Sequence, residues 1–162
     1  MGEGRENRVA RSGQSDRRLK VFRRLLLGMC IFMGVGALGG GLAALIAPDG
    51  SLMGAQELVP VLQEIPFFGQ FIDSLALPAS ALLLFVFVPH AVGILLLIKR
   101  QPQQYIAGMV CGLFVVVFTA VELVLIPNFL SWIFLFLGLV EAGAGFLCHS
   151  LGRSITGERA GN

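Results

Sequence analysis

Residues 105–151 read YIAGMVCGLFVVVFTAVELVLIPNFLSWIFLFLGLVEAGAGFLCHSL. They form two apolar runs, 105–126 and 129–151, joined only by Pro127-Asn128. Each run is long enough, at about 1.5 Å per residue, to cross roughly 30 Å of hydrocarbon as an α-helix. A two-residue link leaves no geometry but an antiparallel neighbour. Each run also carries one acid, Glu122 and Glu141. An acid in an apolar run is costly, so it either has a partner or performs a task.

Working outward, two more runs have the same character. Residues 76–98 are apolar up to Lys99-Arg100, and the polar turn Gln101-Pro102-Gln103-Gln104 leads into the pair above. Pro89-His90 lies inside this run, and the proline, which removes one backbone hydrogen bond, predicts a kink. Residues 25–47 make the remaining run, about 34 Å long as a helix. The predicted fold is therefore all-α, an integral membrane four-helix bundle with spans at 25–47, 76–98, 105–126 and 129–151.

Composition agrees. Of 162 residues, 56% are hydrophobic and 14% are charged, against about 25% charged in soluble domains. All twelve Lys and Arg lie in three places: 5–24, 99–100, and positions 153 and 159. The connection 48–75 holds Asp49, Glu57, Glu64 and Asp73 and no base. Cationic segments stay on the cytoplasmic side. This predicts both termini and the 99–104 turn inside, the 48–75 loop outside, and a bacterial inner membrane location. The basic segment abuts an apolar run, which is a topology signal and not a nucleic-acid site.

The flanks are polar: 1–24 is predicted to be a basic, largely disordered cytoplasmic tail and 152–162 a short cytoplasmic tail. Met1-Gly2 fails the myristoylation pattern because residue 6 is Glu. The apolar run after the basic segment is too long for a signal peptide and ends in no cleavage site. In the 48–75 loop, Pro48-Asp49-Gly50-Ser51 is a turn cluster. Leu58, Val61, Leu62 and Ile65 then recur at helical spacing, predicting a short outer interfacial helix with an aromatic turn at 66–69. A lid over a cavity is the functional alternative for this segment.

One stretch resembles a known kind of protein. Gly39-Gly40-Gly41-Leu42-Ala43-Ala44-Leu45-Ile46-Ala47-Pro48-Asp49-Gly50, then Leu52-Met53-Gly54, then Ile65-Pro66-Phe67-Phe68 resembles small four-helix bacterial membrane proteins. Those have a Gly-rich first helix, a D-P-S-G turn and an S-P-F turn. Here the Asp-Pro order is reversed, and Ile65 stands for the Ser of the second turn. The layout is also similar to the DoxX-type bundle. The resemblance implies fold and location and brings no activity with it.

The polar residues sort by depth. His90 lies about 14 Å above Lys99, and Glu141 about 14 Å above Ser150, both near the midplane. Glu122 lies about 27 Å above Tyr105, near the outer interface, so the two glutamates form no catalytic dyad. Gly138, Glu141, Ala144, Gly145 and Cys148 share one helix face. Glu141 thus points into a helix contact, with His90 as its candidate partner. Glu122 reads as an interfacial residue near Asn128 and Ser131. Gly36 with Gly40, Gly108 with Gly112, and Gly138 and Gly145 are candidate helix-packing positions.

Cys30, Cys111 and Cys148 form no CxxC and read as small packing residues. The neighbours Cys148 and His149 point to different faces, which argues against a metal site. No HExxH, GxSxG or P-loop occurs, so no enzyme and no cofactor is expected. The expected function is structural or accessory, exerted through the bilayer and a homo-oligomer or membrane-protein partner, with no nucleic acid. A proton-coupled carrier using Glu141 and His90 is the first alternative. A membrane redox or lipid-modifying enzyme is the second.

Overall fold

The computed structural model describes the backbone of residues 3–160 apart from Phe68, and side chains for 17–153 apart from Phe68. Among the described residues the chain is helical and contains no strand. We number the helices α1 (Glu3–Ile46), α2 (Leu58–Gln63), α3 (Ala76–Ile98), α4 (Gln104–Leu125) and α5 (Phe129–Ala160). Four of them, all but α2, are long and apolar enough to cross a membrane. They form an antiparallel four-helix bundle, with 48–75 folded over one end (the loop side) and the 99–104 turn at the other (the termini side).

Two ends differ from expectation. Helix α1 reaches back to Glu3 through the tail read as disordered, and α5 runs on to Ala160 past the end set at 151. Extending an existing helix needs no new nucleus, and the Arg, Glu and Leu of these segments are good helix formers. The Phe68 part of the predicted aromatic turn lies outside the described residues.

The irregularity around Pro89 takes the form of a π turn, Leu83–Phe87, set inside α3. There the Val88 N–H donates to Leu83 O, five residues back. Wider winding just before a proline makes room for its ring and absorbs the missing donor.

At the termini side α3 is closed off just past its end by Arg100, whose φ of 53° is left-handed. Gln101 N–H donates to Leu96 O (3.1 Å) and Arg100 N–H to Leu97 O (3.4 Å), the Schellman pattern that satisfies the last carbonyls. Arg23 of α1 reinforces this end. Its guanidinium donates to Leu97 O at 2.7 Å and to Gln104 Oε1 at 3.2 Å, a favourable place for a cation. On the loop side Asn128 caps α5, its Oδ1 accepting from Ser131 N–H at 2.8 Å.

The 48–75 segment is packed rather than free. Leu75 N–H donates to Pro48 O at 2.8 Å, closing the loop. Leu62, Ile72 and Leu75 are buried with Ala44 and Ala79 in a small core. The face expected on α2 is split: Leu62 is buried, with Val59 and Ile65 beside it, while Leu58 and Val61 are exposed. Two glycines make the path possible. Gly50 sits at φ 80°, and a Cβ on Gly69 would collide with Gln63 O.

Large apolar side chains cover the bundle's outside. Val124, Phe129 and Trp132 are 83%, 81% and 60% exposed near the loop side, and Phe32 and Phe136 lie bare at mid-height. A water-soluble surface does not carry so continuous an apolar coat. With four helices of spanning length, this is the surface of a multi-pass membrane protein.

Candidate functional site: a buried polar clasp beneath an apolar cavity

Each of the four long helices sends one chemically distinctive side chain to the same level. Cys30 comes from α1, His90 from α3, Cys111 from α4 and Glu141 from α5; three are wholly buried and Cys111 is 2% exposed. Glycine is why they can meet. A Cβ on Gly34 would lie 3.3 Å from the His90 Cβ, and one on Gly93 would lie 2.9 Å from the Cys111 Sγ. Gly108 receives Leu26, Gly112 lies against the backbone of Gly138 and Ala142, and Gly145 lies against that of Met109. The Gly112 and Gly145 contacts draw α4 and α5 together at backbone distance.

Glu141 is held at both oxygens. Cys30 S–H donates to Oε1 at 3.0 Å, and His90 Nε2 lies 3.3 Å from Oε2, too close for a water between. The other ring nitrogen, Nδ1, is 2.6 Å from Val86 O. A carbonyl only accepts, so Nδ1 carries a proton. Nε2 and Oε2 then need just one proton between them, on the acid or on the ring. The pair is net neutral in either arrangement, which is what lets it sit in a dry apolar interior. Cys111 S–H is engaged separately, donating to Pro89 O at 3.1 Å. Both sulfurs face Gly93, and all three cysteines are free thiols.

The sequence singled out His90 and Glu141, and the structure brings them together. The cysteines, expected as small packing residues, are buried between the helices, and Cys30 in addition donates to the carboxyl. The missed signal is depth: Cys30 lies six residues inside the α1 span and Cys111 seven inside α4, counted from the same side. Gly36 and Gly40 do not act as expected within the chain. A Cβ on Gly36 would meet nothing within 4 Å, and one on Gly40 would meet only Leu82 at 3.8 Å. They border a cavity. Among the described residues no group of His, Cys, Asp or Glu is arranged to hold a metal ion.

That cavity occupies the loop-side half of the bundle and measures about 480 Å³. Met53, Ala55 and Leu58 of the 48–75 segment help to roof it, while Met33, Val86 and Val115 are also in its lining. Each of these last three sits one helical turn above a clasp residue: Cys30, His90 and Cys111 respectively. They pack in one buried cluster, so an apolar layer separates cavity from clasp. Thr119 and Glu122 are the polar side chains of the wall. The Thr119 hydroxyl is spent on Val115 O at 2.7 Å. Glu122 is half-buried, and its carboxyl makes no hydrogen bond or ion pair among the described residues.

Comparison with family models, curated proteins and solved structures yields no match to this chain.

Proposed function

We propose that this chain is a non-enzymatic accessory protein of the bacterial inner membrane, acting through contact with another membrane-embedded helix. Both termini lie in the cytoplasm and the 48–75 loop faces outward, a reading supported by the three basic segments and the base-free loop. The polar residues at mid-membrane answer one another, and the cavity wall contains neither His90 nor Glu141. A substrate would have to break the clasp to use it.

The observation that carries the reading is the uncovered face of α1. Gly28, Phe32, Val35 and Gly39 recur at helical spacing on one side. A Cβ on Gly28 or Gly39 would meet nothing within 4 Å, and Phe32 and Val35 are each 63% exposed. Small residues beside bulky ones form a groove that admits another helix closely. Cysteines placed at Phe32 and Val35, crosslinked in native membranes, should give a discrete adduct that Gly39→Leu removes. Leu113→Cys, on the bare face of α4, should give none. Equal adducts at all three positions, or none at Phe32 and Val35, would refute the proposal.

A proton-linked carrier using His90 and Glu141 is the second reading. One feature favours it: the cavity ends a single helical turn above the pair.

A further inference from the structure

The cavity has a charge problem that the bundle itself does not solve. Its wall is apolar except for Thr119, whose hydroxyl is satisfied within its own helix, and Glu122, whose carboxyl has no partner among the described residues. No loop-side Lys or Arg can neutralise it, because none occurs between residues 24 and 99 or between 100 and 153. A second polar group at this height is also unanswered. Ser131 is 1% exposed and its Oγ has no hydrogen-bond partner among the described residues. The antiparallel register that sets Met109 against Gly145 and Val115 against Gly138 places Ser131 level with Glu122, next to the wall residue Leu130.

The remaining chemistry of the wall suits a cation. Phe118 and Phe134 line it, and aromatic faces attract positive charge. Met33 and Met53 supply soft, adaptable surface. Outside, Asp49, Glu57, Glu64 and Asp73 give the loop side a negative field with no base to offset it, which draws cations toward the mouth. A volume of about 480 Å³ lies within the range of pockets for small organic molecules.

We propose that this cavity is a binding site for a lipophilic monocation, a bulky apolar body bearing one positive charge, with Glu122 as its counter-ion. The apolar wall takes the body, and Phe118 and Phe134 flank the charge. A purely hydrocarbon occupant such as a lipid chain would leave the charge of the carboxyl unanswered. A small hydrated metal ion would find a single acid and a dry wall.

The test uses two ions of near-identical shape and opposite charge. Tetraphenylphosphonium and tetraphenylborate are equilibrated with the full chain in nanodiscs, and binding to empty nanodiscs is subtracted. The phosphonium should bind saturably, one per chain, and the borate should not. Glu122→Gln, which keeps size and hydrogen bonding, should weaken phosphonium binding about tenfold or more. Gly36→Leu, which puts a bulky side chain on the cavity wall where a Cβ meets nothing, should also remove it with Glu122 intact. Thermal melting verifies that both variants remain folded. Equal binding of the two ions indicates an apolar site only and overturns the proposal. So does a Glu122→Gln variant that binds as the parent does, or a Gly36→Leu variant with full binding.

Discussion

His90 Nε2 and Glu141 Oε2 lie 3.3 Å apart at the centre of the bundle, each side chain wholly buried and on different helices. Nδ1 is committed to Val86 O and Oε1 to the Cys30 thiol. One proton therefore serves the contact, and the two helices are tied without net charge.

From this follows the behaviour of two substitutions. Glu141→Gln retains an acceptor for Cys30 and an N–H donor for His90 Nε2, so it should insert and fold, losing less than about 1 kcal/mol. Glu141→Ala strands both partners and opens a void, and should cost about 3 kcal/mol or more. Unfolding midpoints in detergent measure both. A Gln variant that fails to insert would show that the clasp needs a charged carboxylate.

The glycines divide into two classes by their surroundings. Gly145→Ala would bring a Cβ to 2.5 Å of Met109 N, and Gly112→Ala one to 2.7 Å of Gly138 O. Backbone cannot step aside, so both should lower the unfolding midpoint by separating α4 from α5. Gly28→Ala meets nothing within 4 Å and should raise it slightly, by up to about 1 kcal/mol of helix propensity. The same melting series decides, and equal effects across the three would contradict the packing described.

Side-specific labelling addresses the orientation. Single cysteines in place of Ala55 and Gln103 should react with a membrane-impermeant maleimide from opposite faces of the membrane. The native thiols are buried and should stay silent in the folded protein. Labelling of both from one side would reverse the proposed topology or the span count.

The loop side carries one titration with a definite sign. Asp49 accepts from both the N–H (3.0 Å) and the hydroxyl (2.7 Å) of Ser51, and these bonds hold its pKa below the ordinary 3.8. A lowered folded-state value means that the turn gains stability above the unfolded pKa and loses it as pH falls through the folded one. Carboxyl chemical shifts followed during acid titration should show a depressed midpoint. Ser51→Ala should move it back up.

The number and place of the spans were legible because they depend on local chemistry. Twenty apolar residues must be helical in hydrocarbon, since no other single segment satisfies its own backbone there. The predicted 76–98 span coincides with α3, and α4 begins and ends within one residue of 105–126. The Gly138, Glu141, Ala144, Gly145, Cys148 face is also a local matter, fixed by 3.6 residues per turn, and all five are buried. Depth counting alone brought His90 and Glu141 to one level.

Opposition across the bundle was not legible, because it depends on how far each helix is rotated about its axis. Sequence spacing fixes which residues share a face but not which helix that face meets. Gly36 and Gly40 have the packing spacing yet open onto a cavity, while Gly34 and Gly41 take the contacts with α3. Cys30 became a ligand of Glu141 through that same rotation. The sequence by itself determined four spans, the charge asymmetry of their ends and one midplane acid with one imidazole. Only the tertiary structure decided that two thiols complete that level and that Glu122 lines a cavity with no partner for its carboxyl among the described residues. Side-chain pairing between helices is non-local, set by the close backbone approach of Gly112 to Gly138 and of Gly145 to Met109.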